Sequence, residues 1–318
     1  ENVRCGGGTL QLASGDVYQG TLESDMPSGM GKLHLANGDV YQGNFKDGKR
    51  CGWGQSKYAD GDVHEGNYAE DMRNGQGTLQ LANGDVFVGD FVDNKLCGVG
   101  RTLFANQNVY EGEFRNNMRN GRGLLRFAIG NVYEGEFVDD VRHGQGTYTY
   151  ATGDVYEGWW EGGVYSGKGT LTYSDGSSYE GEFRNGMYNG RGTYVFAHGD
   201  VYEGECRDDQ FHGQGTMTYY SGAVYSGGWV DDMKEGEGRY EFAHGDVYEG
   251  GFFDGLQSGH GTYRYANGDS YVGEYSRGRC NGKGGFTSVS GDVLEGLWTD
   301  DELLAPVERE PEATEEAA

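Results

Sequence analysis

Proline is nearly absent, with three in 318 residues, so no proline-rich linker divides the chain. Cysteine is also sparse. Cys5, Cys51, Cys97, Cys206 and Cys280 form no disulfide framework by number or spacing, which points to a reducing compartment. No run of 18 apolar residues occurs, so no membrane-spanning helix is expected. The opening ENVRCGGG has neither the basic start nor the apolar stretch of a secretory signal, and a cytoplasmic location is the expectation. Basic charge is scarce: 25 Lys and Arg stand against 51 Asp and Glu, a formal net charge of -26. From Asp300 onward there are eight acids and one arginine, so the preceding residues retain about -19. Nucleic acid and anionic lipid are repelled on average, and protein partners with basic surfaces are favoured.

Glycine and aromatics are abundant: 61 Gly, 24 Tyr, 14 Phe and 5 Trp. They recur in phase. Gly29, Gly52, Gly75, Gly98 and Gly121 begin a series spaced 23 residues apart that runs to Gly282, and Gly6 extends it backwards. An aromatic recurs at the same interval from Tyr18 and Tyr41 to Tyr248 and Tyr271, with His64 and Leu294 as substitutes. Thirteen units reach about Trp298 without an insertion. A fixed period of this size means stacked supersecondary units with a thin, continuous core. Collagen is excluded because glycine is not at every third position, and strict aromatic phase argues against disorder.

Within a unit the period is two. In VYEGEF, Tyr133, Gly135 and Phe137 share one face while Val132, Glu134 and Glu136 share the other; in GTYTY, Tyr148 and Tyr150 oppose Thr147 and Thr149. Each unit is therefore expected to be a hairpin with one aromatic and one polar face. DDVRHG would connect its strands, and ATGD would turn into the next unit. The fold class follows: all-β, an elongated single-sheet solenoid of antiparallel β-hairpins. Mid-strand glycines such as Gly135 lie on the aromatic face, where the missing Cβ leaves room for a ring, and a Gly158→Val change should overfill that slot.

YEGEFRNGMYNGRG at 179–192 carries the pattern Y-x-G-x-[FWY] followed by N-G-x-x-x-G-x-G, and resembles the membrane occupation and recognition nexus (MORN) repeat. Tyr179, Gly181, Phe183, Gly190 and Gly192 match it one by one. Leu22, His64, Gln107, Cys206 and Leu294 depart from the pattern, so irregular packing is expected in their units. The resemblance covers residues 1–298, with 299–318 read as an acidic C-terminal cap and disordered tail. It implies a non-enzymatic scaffold of the kind found in cilia, at membrane junctions and in protist cytoskeletons. It also implies homodimerisation and, as alternatives, a phosphoinositide membrane adaptor or a regulatory subunit of a separate enzyme.

Candidate chemistry is thin, and no cofactor or metal is expected. Glu111, Glu134, Glu157, Glu180 and Glu203 form a row opposite the aromatics, with copies about 9 to 10 Å apart on an ungrooved ribbon, too dispersed for an acid-base pair. His143 and His212, and His198 and His244, repeat with the units and do not converge as zinc ligands would. CNGKGG at 280–285 lacks the order of a phosphate loop, yet Arg277, Arg279 and Lys283 form a local basic cluster that could contact an anion. For partner or dimer contact the candidates are Trp159, placed outward, and an edge stripe of Val141, Val164, Met187, Met233 and Leu256. DDELL is expected to fold over the last edge as a short helical cap, with REPEATEEAA beyond it as a solvating tail.

Overall fold

A computed structural model describes residues 4–306. Among these residues there is no helix. Twenty-seven strands run from β1 (Gly6–Gln11) to β27 (Glu302–Pro306). Between them, strands of seven and nine residues alternate from β2 (Val17–Glu23) to β25 (Arg279–Thr287). The chain falls into two compact units, divided after Val164. Within each unit the hairpins follow one another as an antiparallel meander, every strand pairing with its sequence neighbours.

The hairpin of β12 (Val132–Val138) and β13 (Val141–Thr149) shows how the sequence builds one unit. Val138 faces Val141 across a two-residue turn, Asp139 and Asp140, both in the left-handed region at φ 47° and 69°. Two-residue hairpin turns of this kind match the right-handed strand twist and favour Asp, Asn or Gly at both places. The connection is therefore shorter than the expected DDVRHG: Val141, Arg142 and His143 already belong to the strand. Gly135 opposes Gly146 while Glu136 opposes His143, so Gly144 and Gln145 form a bulge. Five residues, 150–154, then lead to β14 (Val155–Glu161). That turn is closed by the Tyr150 N–H donating to the Asp154 carbonyl at 2.9 Å and the Gly153 N–H donating to the Tyr150 carbonyl at 3.0 Å.

The core of each unit is an aromatic ladder on one face of the sheet. Tyr133 is fully buried and lies over its own hairpin's glycines; a Cβ on Gly146 would stand 2.5 Å from the Tyr133 Oη and 2.7 Å from its ring. The phenol donates to the Glu136 carbonyl at 2.9 Å, and the ring meets Phe137 edge-on at 5.1 Å. In the second unit Tyr179 repeats this over Gly181 and Gly192, donating to the Glu182 carbonyl at 3.1 Å and meeting Phe183 at 5.2 Å. Edge-to-face rings supply dense apolar contact from few residues. The glycine slot is thus needed by the tyrosine two residues earlier.

The departures from the pattern disturb the array less than expected. Leu22, His64 and Cys206 are all buried in core slots, and Gln107 takes the turn glycine's place at φ 68°. Leu294, by contrast, is 51% exposed: the core thins out there. DDELL is not a helical cap. Asp300 and Asp301 adopt the two-residue turn, at φ 49° and 71°, and β27 pairs antiparallel with β26 (Val293–Thr299), with Thr299 facing Glu302 and Trp298 facing Leu303. The same turn chemistry that closes every hairpin closes this one, so the hairpin pattern continues to Pro306. The segment REPEATEEAA lies outside the described residues.

Candidate functional site

The face opposite the aromatics is grooved rather than flat. In the first unit Glu111, Glu134 and Glu157 line one groove of 640 Å³ with Glu136, Arg122 and Thr147 as further walls and Gly123, Gly135 and Gly146 along its floor. In the second unit Glu203, Glu237 and Glu249 line a groove of 1040 Å³ with Arg191, Arg239 and His260. Both arise where the bulges add twist and the glycine rows leave bare backbone between taller side chains. Glu134 stands between Leu124 and Thr147 on the neighbouring strands, and Glu157 stands across from the same Thr147. The first groove is the more acidic of the two. In the second, Arg264 and Arg239 clamp Glu249 at 2.5 and 2.9 Å and hold its carboxyl below the usual range.

The titratable side chains do not converge. His198 and His244 each face the aspartate of their own turn, Asp200 at 2.9 Å and Asp246 at 3.0 Å. Among the described residues no group of three or more His, Cys, Asp or Glu could hold a metal ion. Arg277, Arg279 and Lys283 are not brought together. Arg277 sits in the two-residue turn, and Arg279 faces Asp300 at 3.5 Å. Lys283 lies four residues further along the strand, beyond the start of the bulge, with its N–H donating to the Glu274 carboxylate at 3.0 Å.

The apolar candidates do reach the surface. Trp159 is 50% exposed and faces outward across from Gln145, while Trp160 is buried and donates its indole N–H to the Gly146 carbonyl at 3.1 Å. Trp53 also reaches the surface, at 53% exposure, across from Asn67 and in the slot that Gln145 holds four periods on, which an even count of aromatics by period would have found. Val141, Val164, Met233 and Leu256 are exposed and Met187 is half-buried, each being the first strand residue after a two-residue turn. In the second unit their cross-strand partners matter as much: Met233 faces Val230, and Leu256 faces Phe253, which is 65% exposed.

Two features of the aromatic face escaped the reading by period. Arg50, Arg119 and Arg142 lay guanidinium groups against the aromatic ladder; Arg142 stands 4.4 Å from the Trp160 ring centroid, and Arg119 5.1 Å from that of Phe137. The signal was present, as these arginines are spaced by multiples of 23. His64, fully buried, accepts or donates through Nδ1 to the Tyr68 hydroxyl at 2.8 Å, and Ser56 meets the same hydroxyl at 2.7 Å. Its Nε2 is buried with no partner among the described residues. Burial first, and the Arg73 cation second, push the imidazole down to about 4.

Repeated hairpins with strands of seven and nine residues, most of them with a tyrosine laid over paired glycines, define a tandem β-hairpin repeat protein. The MORN repeat model matches twelve consecutive segments, from residues 18–40 to 271–293, and the chain belongs to the MORN repeat family. Among solved structures, the TCP10 domain of Danio rerio CPAP is similar at 17% identity and a TM-score of 0.37, over 64% of this chain and 95% of that one. The SAS-4 TCP domain of Drosophila melanogaster, solved with a proline-rich motif of Ana2, is similar at 14% identity and a TM-score of 0.32, over 56% and 90%. Virginiamycin B lyase from Staphylococcus aureus reaches 12% identity and a TM-score of 0.14, over 86% and 84%. Likenesses of this size carry no argument about function. Among curated proteins no match is found.

Proposed function

We propose that this chain is a non-enzymatic scaffold that holds protein partners with basic surfaces against the acidic face of its hairpins, in a cytoskeletal or ciliary assembly of the cytoplasm. The observation that carries the reading is the placement of Glu111, Glu134 and Glu157 at one slot of successive hairpins along a single groove. A partner with lysines or arginines at a matching pitch meets the same carboxylate every second strand, about every 9 to 10 Å. The use of MORN arrays as scaffolds in cilia and protist cytoskeletons supports the setting. Pull-down with the full chain, followed by mass spectrometry, tests it against the triple variant Glu111→Lys, Glu134→Lys, Glu157→Lys. Wild type should capture basic proteins that salt releases and the triple variant does not retain. Capture of the same proteins by the folded variant would refute docking on this groove.

Homodimerisation belongs to the same proposal. Two exposed cross-strand apolar pairs, Val230 with Met233 and Phe253 with Leu256, occupy successive hairpins of the second unit. An apolar centre of this kind can outweigh average charge repulsion when a second copy covers it. Met233→Glu with Leu256→Glu should convert dimer to monomer by light scattering coupled to gel filtration, with the β-sheet circular dichroism unchanged. A wild type that stays monomeric throughout the micromolar range would end the dimer proposal.

A further inference from the structure

Arg142 lacks the side-chain oxygen that closes its counterparts in the first unit, a carboxylate at Arg50 and Arg119 and the Asn94 amide at Arg73. Arg119 is held by Asp140: its backbone N–H and its Nε both donate to Oδ1 at 2.9 Å, and Nη2 donates to the Asp140 carbonyl at 2.8 Å. Arg50 is held in the same way by Asp71, at 2.9, 3.2 and 2.6 Å. In each case the partner lies 21 residues on. For Arg142 that residue is Gly163, whose carbonyl accepts from Nη2 at 2.8 Å and which offers no carboxylate to Nε or to the Arg142 N–H. Among the described residues nothing crowds a Cβ at Gly163. A Cβ on Gly163 would meet only Val141 Cγ1, at an ordinary 3.7 Å, and the backbone at φ 82° is close to the 69° that Asp140 adopts.

The open cradle borders a groove of 460 Å³ whose apolar walls are Phe104, Leu125, Phe127 and Phe137, with Arg142 and Gly163 at its margin. The cation is fixed in place by Trp160 at 4.4 Å and Tyr148 at 5.2 Å. Asp140, which also borders the groove, is already committed to Arg119. We propose that this cradle binds a carboxylate carried next to an apolar group, as an acidic residue beside an aromatic or aliphatic one in a partner protein presents it. The guanidinium fork and the adjacent N–H fit a carboxylate, as the neighbouring hairpins demonstrate with their own aspartates, and the phenylalanines take the apolar neighbour. The formal charge of -26 opposes an acid at long range, so the site selects by contact and not by steering. The inference goes beyond the scaffold reading and does not depend on it, since neither the acidic groove nor self-association enters.

Titration of the full chain, labelled with nitrogen-15, tests the site by reading the Arg142 Nε–H and Trp160 indole resonances. The probes are 3-phenylpropionate, its carboxamide, and the dipeptide acetyl-Phe-Glu-amide. Both carboxylates should shift the two resonances, with the carboxamide binding about tenfold weaker, the effect of one charge-assisted hydrogen bond. Arg142→Gln should lose about the same factor. Gly163→Asp should abolish binding while keeping or raising the melting temperature, because it rebuilds the closure seen at Arg119 and Asp140. Equal binding of the carboxamide, or undiminished binding by Gly163→Asp, would overturn the site. Tighter binding of the dipeptide than of phenylpropionate supports a protein segment as the source; the reverse order would overturn that assignment in favour of a small carboxylate.

Discussion

At pH 4 the hairpin carrying His64 is expected to be about 3 kcal/mol less stable than at pH 7, through this one side chain. The imidazole is neutral in the fold, with its pKa pushed from 6.5 to about 4 by burial and by the Arg73 cation, whereas in the unfolded chain it takes up a proton near its ordinary value. Between those two values the unfolded state binds the extra proton, so stability rises with pH in that window. The contribution is complete above pH 6.5 and is lost as pH falls to about 4. Carboxylates also titrate there, so the comparison that isolates His64 is with His64→Tyr. Tyrosine is the residue of the neighbouring hairpin, where Tyr41 donates to the Asn44 carbonyl at 3.1 Å. Denaturant unfolding of both proteins at pH 7 and pH 4 should show a steeper loss for wild type. Equal losses would mean that His64 is protonated in the fold.

Gly146→Val should destabilise its hairpin by about 3 kcal/mol, the upper end of the usual cost of overpacking. The nearest atoms to the new Cβ, at 2.5 to 2.7 Å, belong to the Tyr133 ring, which is wedged against Phe137 at 5.1 Å and Trp160 at 5.0 Å and has nowhere to move. Because the clash is with one ring, its cost depends on that ring. Tyr133→Leu alone is destabilising through lost burial, but combined with Gly146→Val it should show a favourable coupling of about 1 kcal/mol or more in a double-mutant cycle. Additive losses, or a Gly146→Val protein as stable as wild type, would show that the glycine is not there for the ring.

The 23-residue spacing determined the strands, their pairing and the inward face. Side chains alternate along a strand, so Tyr133, Gly135 and Phe137 had to share one surface, and a glycine between two rings had to have a packing reason. These are local properties of a single unit, repeated, and they needed no knowledge of what lies across from them. The tertiary structure alone decided the matters that depend on contact between units. DDVRHG reads as a loop, yet only Asp139 and Asp140 turn, because Val141 and Arg142 find cross-strand partners in Val138 and Phe137. DDELL reads as a helical start, but beside the exposed edge of β26 its acids make the hairpin turn and its leucines extend the sheet. The polar face looked flat because the bulge at Gly144 and Gln145 leaves no mark in the alternation. Arg142 and Gly163 are unremarkable apart. Only the stacking of one hairpin on the next sets residue 163 beside residue 142, and a carboxylate missing there is a relation between two hairpins that no single period of the sequence contains.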